Sequence, residues 1–199
     1  MRTIRIALQA TLVTLLLTGV AYPLAMTGVA RVLFPDRSAG SLVTDARGKV
    51  VGSALIGQAF TNPGYFQGRP SAAGNGYDAT ASAGSNLGPT SKKLRDRVVA
   101  DVARLQKENP EAPLPIPAEL VTASASGLDP HLSPAAASWQ ASRVAKARGV
   151  GVERVRQLID DLTEGRQLGF LGEPRVNVLA LNLALDRQFG DPPRAAAHP

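Results

Sequence analysis

The stretch IALQATLVTLLLTGVAYPLAMTGVA, residues 6–30, decides the architecture of this chain. Its 25 residues carry no charge, and Gln9 is the only strongly polar side chain among them. A helix rises 1.5 Å per residue, so about 20 apolar residues cross the hydrocarbon core of a bilayer. Charged side chains flank the stretch at Arg2, Arg5, Arg31, Asp36 and Arg37. The pattern predicts one membrane-spanning helix followed by a soluble domain.

A cleaved signal peptide is the alternative interpretation of this stretch. The chain begins with the positively charged segment MRTIR, and Gly28-Val29-Ala30 offers small residues for cleavage. The chain would then be an exported binding protein that is cut after Ala30. However, the apolar run is longer than the usual signal-peptide core of about 7–15 residues. Its length favours a retained anchor.

The charges around the stretch give only a weak indication of orientation, because basic residues lie on both sides of it. The amino terminus, Arg2 and Arg5 favour a cytoplasmic start. We therefore expect residues 1–5 in the cytoplasm, 6–30 in the membrane, 31–190 as an extracytoplasmic domain and 191–199 as a flexible tail.

The apolar stretch also contains small and hydroxyl-bearing residues that favour close packing between helices in lipid. At helical spacing, four of them fall near one face: Thr11, Thr14, Thr18 and Ala25. This face predicts a packing surface for another membrane helix. The alternative is a monomeric anchor in which these residues are incidental.

Composition limits the chemistry of the remaining residues. The chain has no cysteine, which excludes disulfides and thiolate-bound metals. Its only histidines are His131 and His198, so a histidine-based metal site or catalytic triad in the domain would depend on His131. The net charge of +6 is modest for this size and does not indicate nucleic-acid binding.

Residue patterns after the apolar stretch predict an α+β domain. Two short strands, 41–45 and 50–56, flank a turn at Ala46-Arg47-Gly48-Lys49. Apolar periodicity and capping residues predict helices over 91–109, 133–148, 152–162 and 177–188, with Gly165 ending the third. Trp139 is expected in the core. The basic residues of the later helices are expected to be solvated or to contact lipid headgroups: Arg143, Lys146, Arg148, Arg154 and Arg156.

The segment 60–90 is rich in Gly, Pro, Ser and Asn, and we expect it to form a long irregular loop. It nevertheless holds four of the nine aromatic residues in the chain, which argues against disorder. These rings either pin the loop to its own domain or face a partner. Aromatic and arginine side chains are frequent interface anchors. The predicted docking residues are Phe60, Tyr65, Phe66, Arg69, Tyr77 and Asn86. Asn86 and Thr90 are also expected to cap the following helix.

A search for catalytic motifs finds little. The chain has no GxxxxGK[ST] phosphate loop. The segment SGLDPH brings Ser126, Asp129 and His131 within six residues, which would suit a membrane-tethered hydrolase if the three groups converged. Such close neighbours more often form a turn that leads into a helix, with Asp129 or Ser133 accepting from backbone amides. We therefore predict no catalytic residue and no metal ligand.

Four blocks of sequence, taken in order, resemble the C chain of the potassium-transporting Kdp ATPase (the KdpC family). They are GSALIGQAFTNPGYFQGRPSA, GSNLGPTSKKL, TASASGLDPHLSPAAASWQASRVAKARG and FLGEPRVNVLALNLALD. Together with the N-terminal span they cover most of the chain. One departure is Ser91, where the family pattern has Asn.

The resemblance implies a non-catalytic accessory subunit of a high-affinity potassium uptake complex in the inner (plasma) membrane. In this family, a channel-like A subunit carries potassium and a P-type ATPase B subunit hydrolyses ATP. The C chain assembles the complex and is described as a catalytic chaperone that raises the ATP affinity of the B subunit. The implied partners are these two subunits and the lipid bilayer. ATP and potassium belong to the complex, and no cofactor bound by this chain is implied.

Overall fold

The computed structural model describes residues 1–45 and 47–193. It divides into two compact units, of which the first ends at Leu42 and the second begins at Val43. In the first unit, helix α1 (Arg2–Leu16) continues through a π-helical turn (Leu17–Ala21) into α2 (Tyr22–Leu33). A single-turn helix, α3 (Pro35–Ser38), follows. Among the described residues, Arg2–Leu33 is the one helix long and apolar enough to cross a membrane, and its side chains are not buried by the chain itself.

The π-helical turn has a local cause in Pro23. Proline lacks the N–H that would bond the carbonyl four residues earlier, and its ring crowds the preceding turn. The π-helical turn stands just before it and places one extra residue in that turn. Within the turn, the Thr18 hydroxyl donates to the Thr14 carbonyl at 2.8 Å. In a regular α-helix, Ala25 would lie on the same face as Thr18, seven residues earlier. The extra residue in the π-helical turn moves Ala25 off that face.

The remaining chain is an α+β domain, as the sequence predicts. Its strands are β1 (Leu42–Thr44), β2 (Val50–Ser53), β3 (His131–Leu132), β4 (Thr163–Glu164) and β5 (Arg175–Asn177). Strands β1 and β2 form one small sheet, and β3, β5 and β4 form an antiparallel sheet in that spatial order. Its helices are α4 (Lys92–Glu108), α5 (Pro134–Arg148), α6 (Val152–Asp161) and α7 (Val178–Phe189). A 3₁₀ turn lies at Ala118–Leu120.

Three of the predicted helices begin at the side chains that cap them. The Ser133 hydroxyl accepts a hydrogen bond from the Ala136 amide at 3.2 Å, and the Asn177 side chain accepts one from the Ala180 amide at 3.0 Å. Helix α4 is capped by Ser91, so the expectation that Asn86 and Thr90 cap it was wrong. A capping oxygen must adjoin the first turn, and only Ser91 does.

Two predicted boundaries were also wrong. Helix α6 ends at Asp161 because the chain enters β4 at Thr163, whose hydroxyl donates to the Ile159 carbonyl at 2.7 Å. Gly165 therefore lies beyond a strand and does not end the helix. Strand β2 stops at Ser53, whose hydroxyl accepts from the Leu55 amide at 3.1 Å. In the predicted β1–β2 turn, Ala46 lies outside the described residues, as do residues 194–199 of the predicted tail.

The core of the domain lies between α5, α6, α7 and the three-stranded sheet. Trp139 is buried there, as predicted, and its indole N–H donates to the Pro113 carbonyl at 2.8 Å. The largest apolar side chains that are fully buried are Phe66, Leu132, Val144, Val155, Ile159, Val176, Leu181 and Leu185. All except Phe66 come from helices or strands. Phe66 comes from the loop between β2 and α4, so that loop is part of the core.

Candidate docking surface

The loop between β2 and α4 is held by two amide side chains that replace strand partners. Asn182 of α7 accepts from the Phe66 amide at 2.8 Å and donates to the Phe66 carbonyl at 3.0 Å. Gln140 of α5 does the same for Gln67, at 2.9 and 3.0 Å. Both amide side chains are buried. Buried backbone groups must find hydrogen-bond partners, and here helices supply what a neighbouring strand would otherwise provide.

Two arginines hold the carbonyls just before this point. Arg143 donates to the carbonyls of Pro63 and Tyr65, at 2.5 and 3.1 Å, and Arg148 donates to that of Gly64 at 2.6 Å. Both guanidinium groups are buried, so the prediction that they are solvated was wrong for these two. Burial lowers the pKa of Arg143 to about 10, although nearby Glu108 raises it. Five consecutive carbonyls, 63–67, therefore each have a specific side-chain donor.

Tyr65 is fixed by its ring and by its hydroxyl. The hydroxyl donates to Asp186 at 2.9 Å, while the Arg148 guanidinium lies 5.0 Å from the ring centroid and also pairs with Asp186 at 2.8 Å. The ring of Phe60 lies 5.7 Å from that of Tyr65. Burial and the Asp186 carboxylate raise the pKa of Tyr65 to about 12. The side chain therefore stays neutral and donates over the whole physiological pH range.

Arg69 and Tyr77 form a second anchored group further along the loop. Arg69 pairs with Asp129 at 3.1 Å, and the Tyr77 hydroxyl donates to the Arg69 carbonyl at 2.5 Å. The pKa of Tyr77 is raised to about 12, mainly by burial and then by Asp129. Glycines make room for the ring, since a Cβ at Gly68 would lie 2.6 Å from the Tyr77 hydroxyl. A Cβ at Gly57 would lie 2.9 Å from the ring.

Two clefts open beside these anchored groups. The larger one, of about 550 Å³, is lined by charged side chains of both signs and by apolar side chains. Its lining includes Asp45, Arg47, Phe60, Asn62, Tyr65, Leu179, Leu183, Asp186, Arg187 and Asp191. The smaller one, of about 250 Å³, is lined by residues that include Phe60, Gln67, Arg69, Tyr77, Asp101 and Arg104. We call these the major cleft and the minor cleft. Phe60 lines both.

The structure therefore places the predicted docking residues in different surroundings. Phe60 and Tyr65 line the major cleft, and Arg69 and Tyr77 line the minor cleft. Phe66 is 0% exposed, so its side chain packs inside the domain and presents nothing to a partner. Asn86 is exposed at a positive φ of 50° and lines neither cleft. Every aromatic ring in this group also has contacts within the domain.

The segment SGLDPH forms a turn that leads into β3. The Ser126 hydroxyl accepts from the Leu128 amide at 3.1 Å, and Asp129 accepts from the His131 amide at 3.0 Å. Asp129 and the His131 ring are 3.7 Å apart, but no hydrogen bond joins Ser126 to His131 among the described residues. These groups serve the turn, as the sequence predicts. Within residues 1–45 and 47–193, no group of three His, Cys, Asp or Glu side chains could hold a metal ion.

Sequence reasoning missed the four side chains that organise the loop: Gln140, Arg143, Arg148 and Asn182. A signal was present in α5, where Gln140 stands between Ala136 and Val144 on the face that carries the buried residues. A polar residue at a core position must have a partner, and the nearby irregular loop had unpaired backbone groups to offer. Asn182 stands in the same way beside Leu181 and Leu185 in α7.

Comparison with known proteins gives a consistent result. Residues 4–187 match the family model described as K⁺-transporting ATPase, c chain. The potassium-transporting ATPase KdpC subunit of Myxococcus xanthus is 65% identical over 190 residues, which cover 96% of this chain and 90% of that protein. The KdpC subunit of Rhodospirillum rubrum is 58% identical over 95% of this chain and 97% of its own length. That of Koribacter versatilis is 58% identical over 88% and 90%.

The match covers the apolar helix, the anchored loop and all four helices of the domain. At these identities and coverages, this chain and these relatives share one fold. The chain is a member of the KdpC family, the c chains of K⁺-transporting ATPases.

Proposed function

We propose that this chain is a single-pass membrane subunit that assembles a potassium-transporting ATPase. Residues 1–5 lie in the cytoplasm, 6–30 span the membrane and 31–190 form the domain outside. The observation that carries this proposal is the helix Arg2–Leu33, which is apolar and which the chain itself leaves unburied. Apolar surface on this scale requires lipid or a partner to cover it. Membership of a family of transport-ATPase subunits supports a helix that is covered by both lipid and the other membrane subunits.

The role proposed for the chain is non-catalytic. Its polar side chains with the most elaborate contacts, such as Arg143, Arg148 and Asn182, bond the backbone of their own loop. Groups used in this way stabilise a shape. We propose that this shape binds the channel-like A subunit outside the membrane, while the apolar helix contacts the membrane part of the complex. The P-type ATPase B subunit is the second partner.

An effect on the ATP affinity of the B subunit is then indirect. A domain outside the membrane has no access to cytoplasmic ATP, so its influence passes through the membrane subunits that it holds together. In thermodynamic terms, the chain binds one conformation of the complex more tightly than the other and shifts the population toward it.

The orientation is tested first, and the cysteine-free sequence allows a clean experiment. A cysteine introduced by Lys107→Cys should react with a membrane-impermeant thiol reagent in intact cells. The matched control is Thr3→Cys on the short N-terminal arm, which should react only after lysis. Reaction of the Lys107→Cys chain only after lysis would contradict the orientation and restore direct contact with ATP. The mass of the mature chain shows whether residues 1–30 are retained.

The docking surface is tested at the rim of the major cleft. Arg187 is exposed, lines this cleft and lies on α7, whereas its exposed neighbour Gln188 does not line it. Arg187→Ala should reduce co-purification of the A and B subunits and growth on limiting potassium, while Gln188→Ala should not. Both variants should keep the melting temperature of the unaltered chain. Full assembly with Arg187→Ala would place the docking surface elsewhere.

The apolar helix is tested as a packing element. Replacing Thr11, Thr14 and Thr18 together with leucine should preserve insertion but weaken co-purification, because close approach and polar contacts between helices are lost. Thr27→Leu is the control, since Thr27 also bonds its own helix, at the Pro23 carbonyl. Unchanged recovery of the complex with the triple variant would favour a simple anchor.

A further inference from the structure

The connection between β4 and β5 presents three large apolar side chains to solvent. Leu168, Phe170 and Leu171 are 82, 68 and 47% exposed. They lie in residues 165–174, the tip of the hairpin in which Glu164 pairs with Arg175. Exposed apolar residues are common singly, but three within four consecutive positions form a patch that water does not favour. We call residues 165–174 the hairpin tip.

The backbone of the hairpin tip satisfies much of its own hydrogen-bonding capacity. Gln167 and Leu171 exchange both of their N–H···O bonds, each at 2.9 Å. The amide of Gly169 donates to the Arg166 carbonyl at 3.2 Å. Backbone that enters an apolar medium must find its partners internally, because lipid offers none. The backbone at the end of the tip is therefore bonded within the tip, and the side chains exposed there are the apolar ones of Leu168, Phe170 and Leu171.

Leu168 holds an unfavourable backbone conformation. Its φ is +52°, a left-handed value that Gly or Asn adopts at much lower cost than a leucine. Its exposed side chain gains little within the domain to offset that strain. An observed strain of this kind points to a contact outside the domain.

Charged residues form a collar at the base of the hairpin tip. Arg166 pairs with Glu173 at 2.7 Å, and Arg175 pairs with Glu164 at 2.9 Å. The collar therefore carries both signs and little net charge. An apolar end above a charged base has the layering of a segment that enters a lipid interface, with hydrocarbon inside and charge at the headgroups.

We propose that the hairpin tip inserts Leu168, Phe170 and Leu171 into the bilayer surface on the side where the domain lies. This inference rests on the proposed membrane span of the chain. The connector from the apolar helix to the domain is residues 34–42, which at about 3.3–3.6 Å per residue spans at most about 30 Å. The domain is therefore joined to the proposed membrane span by a short tether. A protein groove is the other occupant that such a patch could have, and the measurement with the A and B subunits distinguishes it from lipid.

The test uses the full chain in vesicles of phosphatidylcholine and phosphatidylglycerol that contain a nitroxide-labelled lipid. A fluorophore on Leu171→Cys reports on the tip, and one on Val99→Cys, at an exposed apolar position of α4, is the matched control. The nitroxide lipid should quench the tip fluorophore several-fold more strongly than the control fluorophore. Equal quenching at the two positions in chains that float with the vesicles would overturn the inference alone. Chains that do not float with the vesicles would overturn the membrane span as well.

A second variant separates insertion from mere proximity. Phe170→Asp in the Leu171→Cys chain should reduce quenching to the level of the control, whereas Phe170→Leu should preserve it. The exposed ring makes few contacts within the domain, so both variants should keep the melting temperature. The measurement is then repeated with the A and B subunits present. Loss of lipid quenching in the assembled complex would show that a protein covers the tip, and would also overturn the inference.

Discussion

Phe66 and Phe170 lie in similar sequence and have opposite surroundings. Each stands near glycine in an irregular segment between regular elements, yet Phe66 is 0% exposed and Phe170 is 68% exposed. The difference lies in the backbone. The amide and carbonyl of Phe66 are bonded by Asn182 of a distant helix, whereas the Phe170 amide bonds Gln167 within its own turn. A segment whose backbone partners are in the core is drawn into the core.

The contrast between Phe66 and Phe170 is tested most directly by removing each ring. Phe66→Ala should lower the free energy of unfolding by about 3–5 kcal/mol, the usual loss for a buried phenylalanine. Phe170→Ala should change it by less than about 0.5 kcal/mol, as surface substitutions do. Urea unfolding of the full chain in mild detergent, followed by the fluorescence of Trp139, measures both. Similar losses for the two variants would show that burial does not distinguish these segments.

The next largest effect should come from the side chain that holds Phe66. Asn182→Ala leaves a buried amide and a buried carbonyl without partners, and we expect a loss of about 2–4 kcal/mol. Gln188→Ala, at an exposed amide of the same helix, should cost less than about 0.5 kcal/mol. The same urea experiment measures both. A small effect of Asn182→Ala would mean that the ring of Phe66 positions the loop without help from its backbone.

Substitutions at Ser91 and Asn86 should have smaller effects on the free energy of unfolding. Ser91→Ala removes the N-cap of α4 and should cost about 0.5–1 kcal/mol, toward the low end because the bond to the Leu94 amide is 3.4 Å long. Asn86→Ala should not remove a cap. At its positive φ of 50°, however, alanine is less favourable than asparagine, so we expect a loss of only a few tenths of a kcal/mol. A larger loss for Asn86→Ala would show that Asn86 stabilises the domain through a contact other than a cap.

The smallest expected effect on stability is that of pH, acting through Tyr77. Its pKa in the folded chain is raised to about 12 from 10.0, first by burial and then by Asp129. Folding therefore disfavours the phenolate, so the stability from the neutral hydroxyl is complete below pH 10 and is lost as pH rises through about 12. The melting temperature should fall across that window. Tyr77→Phe should fall less steeply, and Tyr22→Phe, outside the domain, should behave like the unaltered chain.

The sequence predicts those parts of the fold whose causes are local. Ser133-Pro134 and Asn177 begin helices because their side chains cap the adjacent turn, and α5 and α7 begin where expected. Strands β3, β4 and β5 were not predicted, since two or three residues show no periodicity and the pairing of these strands is set by tertiary contacts. The entry of the chain into β4 also explains why α6 ends before Gly165.

Of the residues at the candidate site, the sequence analysis singled out those in the loop and missed the helix side chains that bond them. The aromatic residues and Arg69 mark the loop as anchored, but their composition does not say to what. The Phe66 and Asn182 partners are 116 positions apart, and Gln67 and Gln140 are 73 apart. Charge alone suggested that Arg143 and Arg148 are solvated. Arginine can instead satisfy several carbonyls at once when a loop brings them together, which one sequence does not reveal.

The five bonded carbonyls at 63–67 give an irregular segment something that loops usually lack, a register. Each carbonyl fits one donor, so inserting or deleting a single residue there would misalign all the following pairs, as a slip does in a sheet. By contrast, Gly74 and Gly76 lie in a more exposed stretch where an added residue displaces no such ladder. Length variation within this family should therefore be rare before Gln67 and concentrated after Ala73, although both parts look equally permissive as sequence.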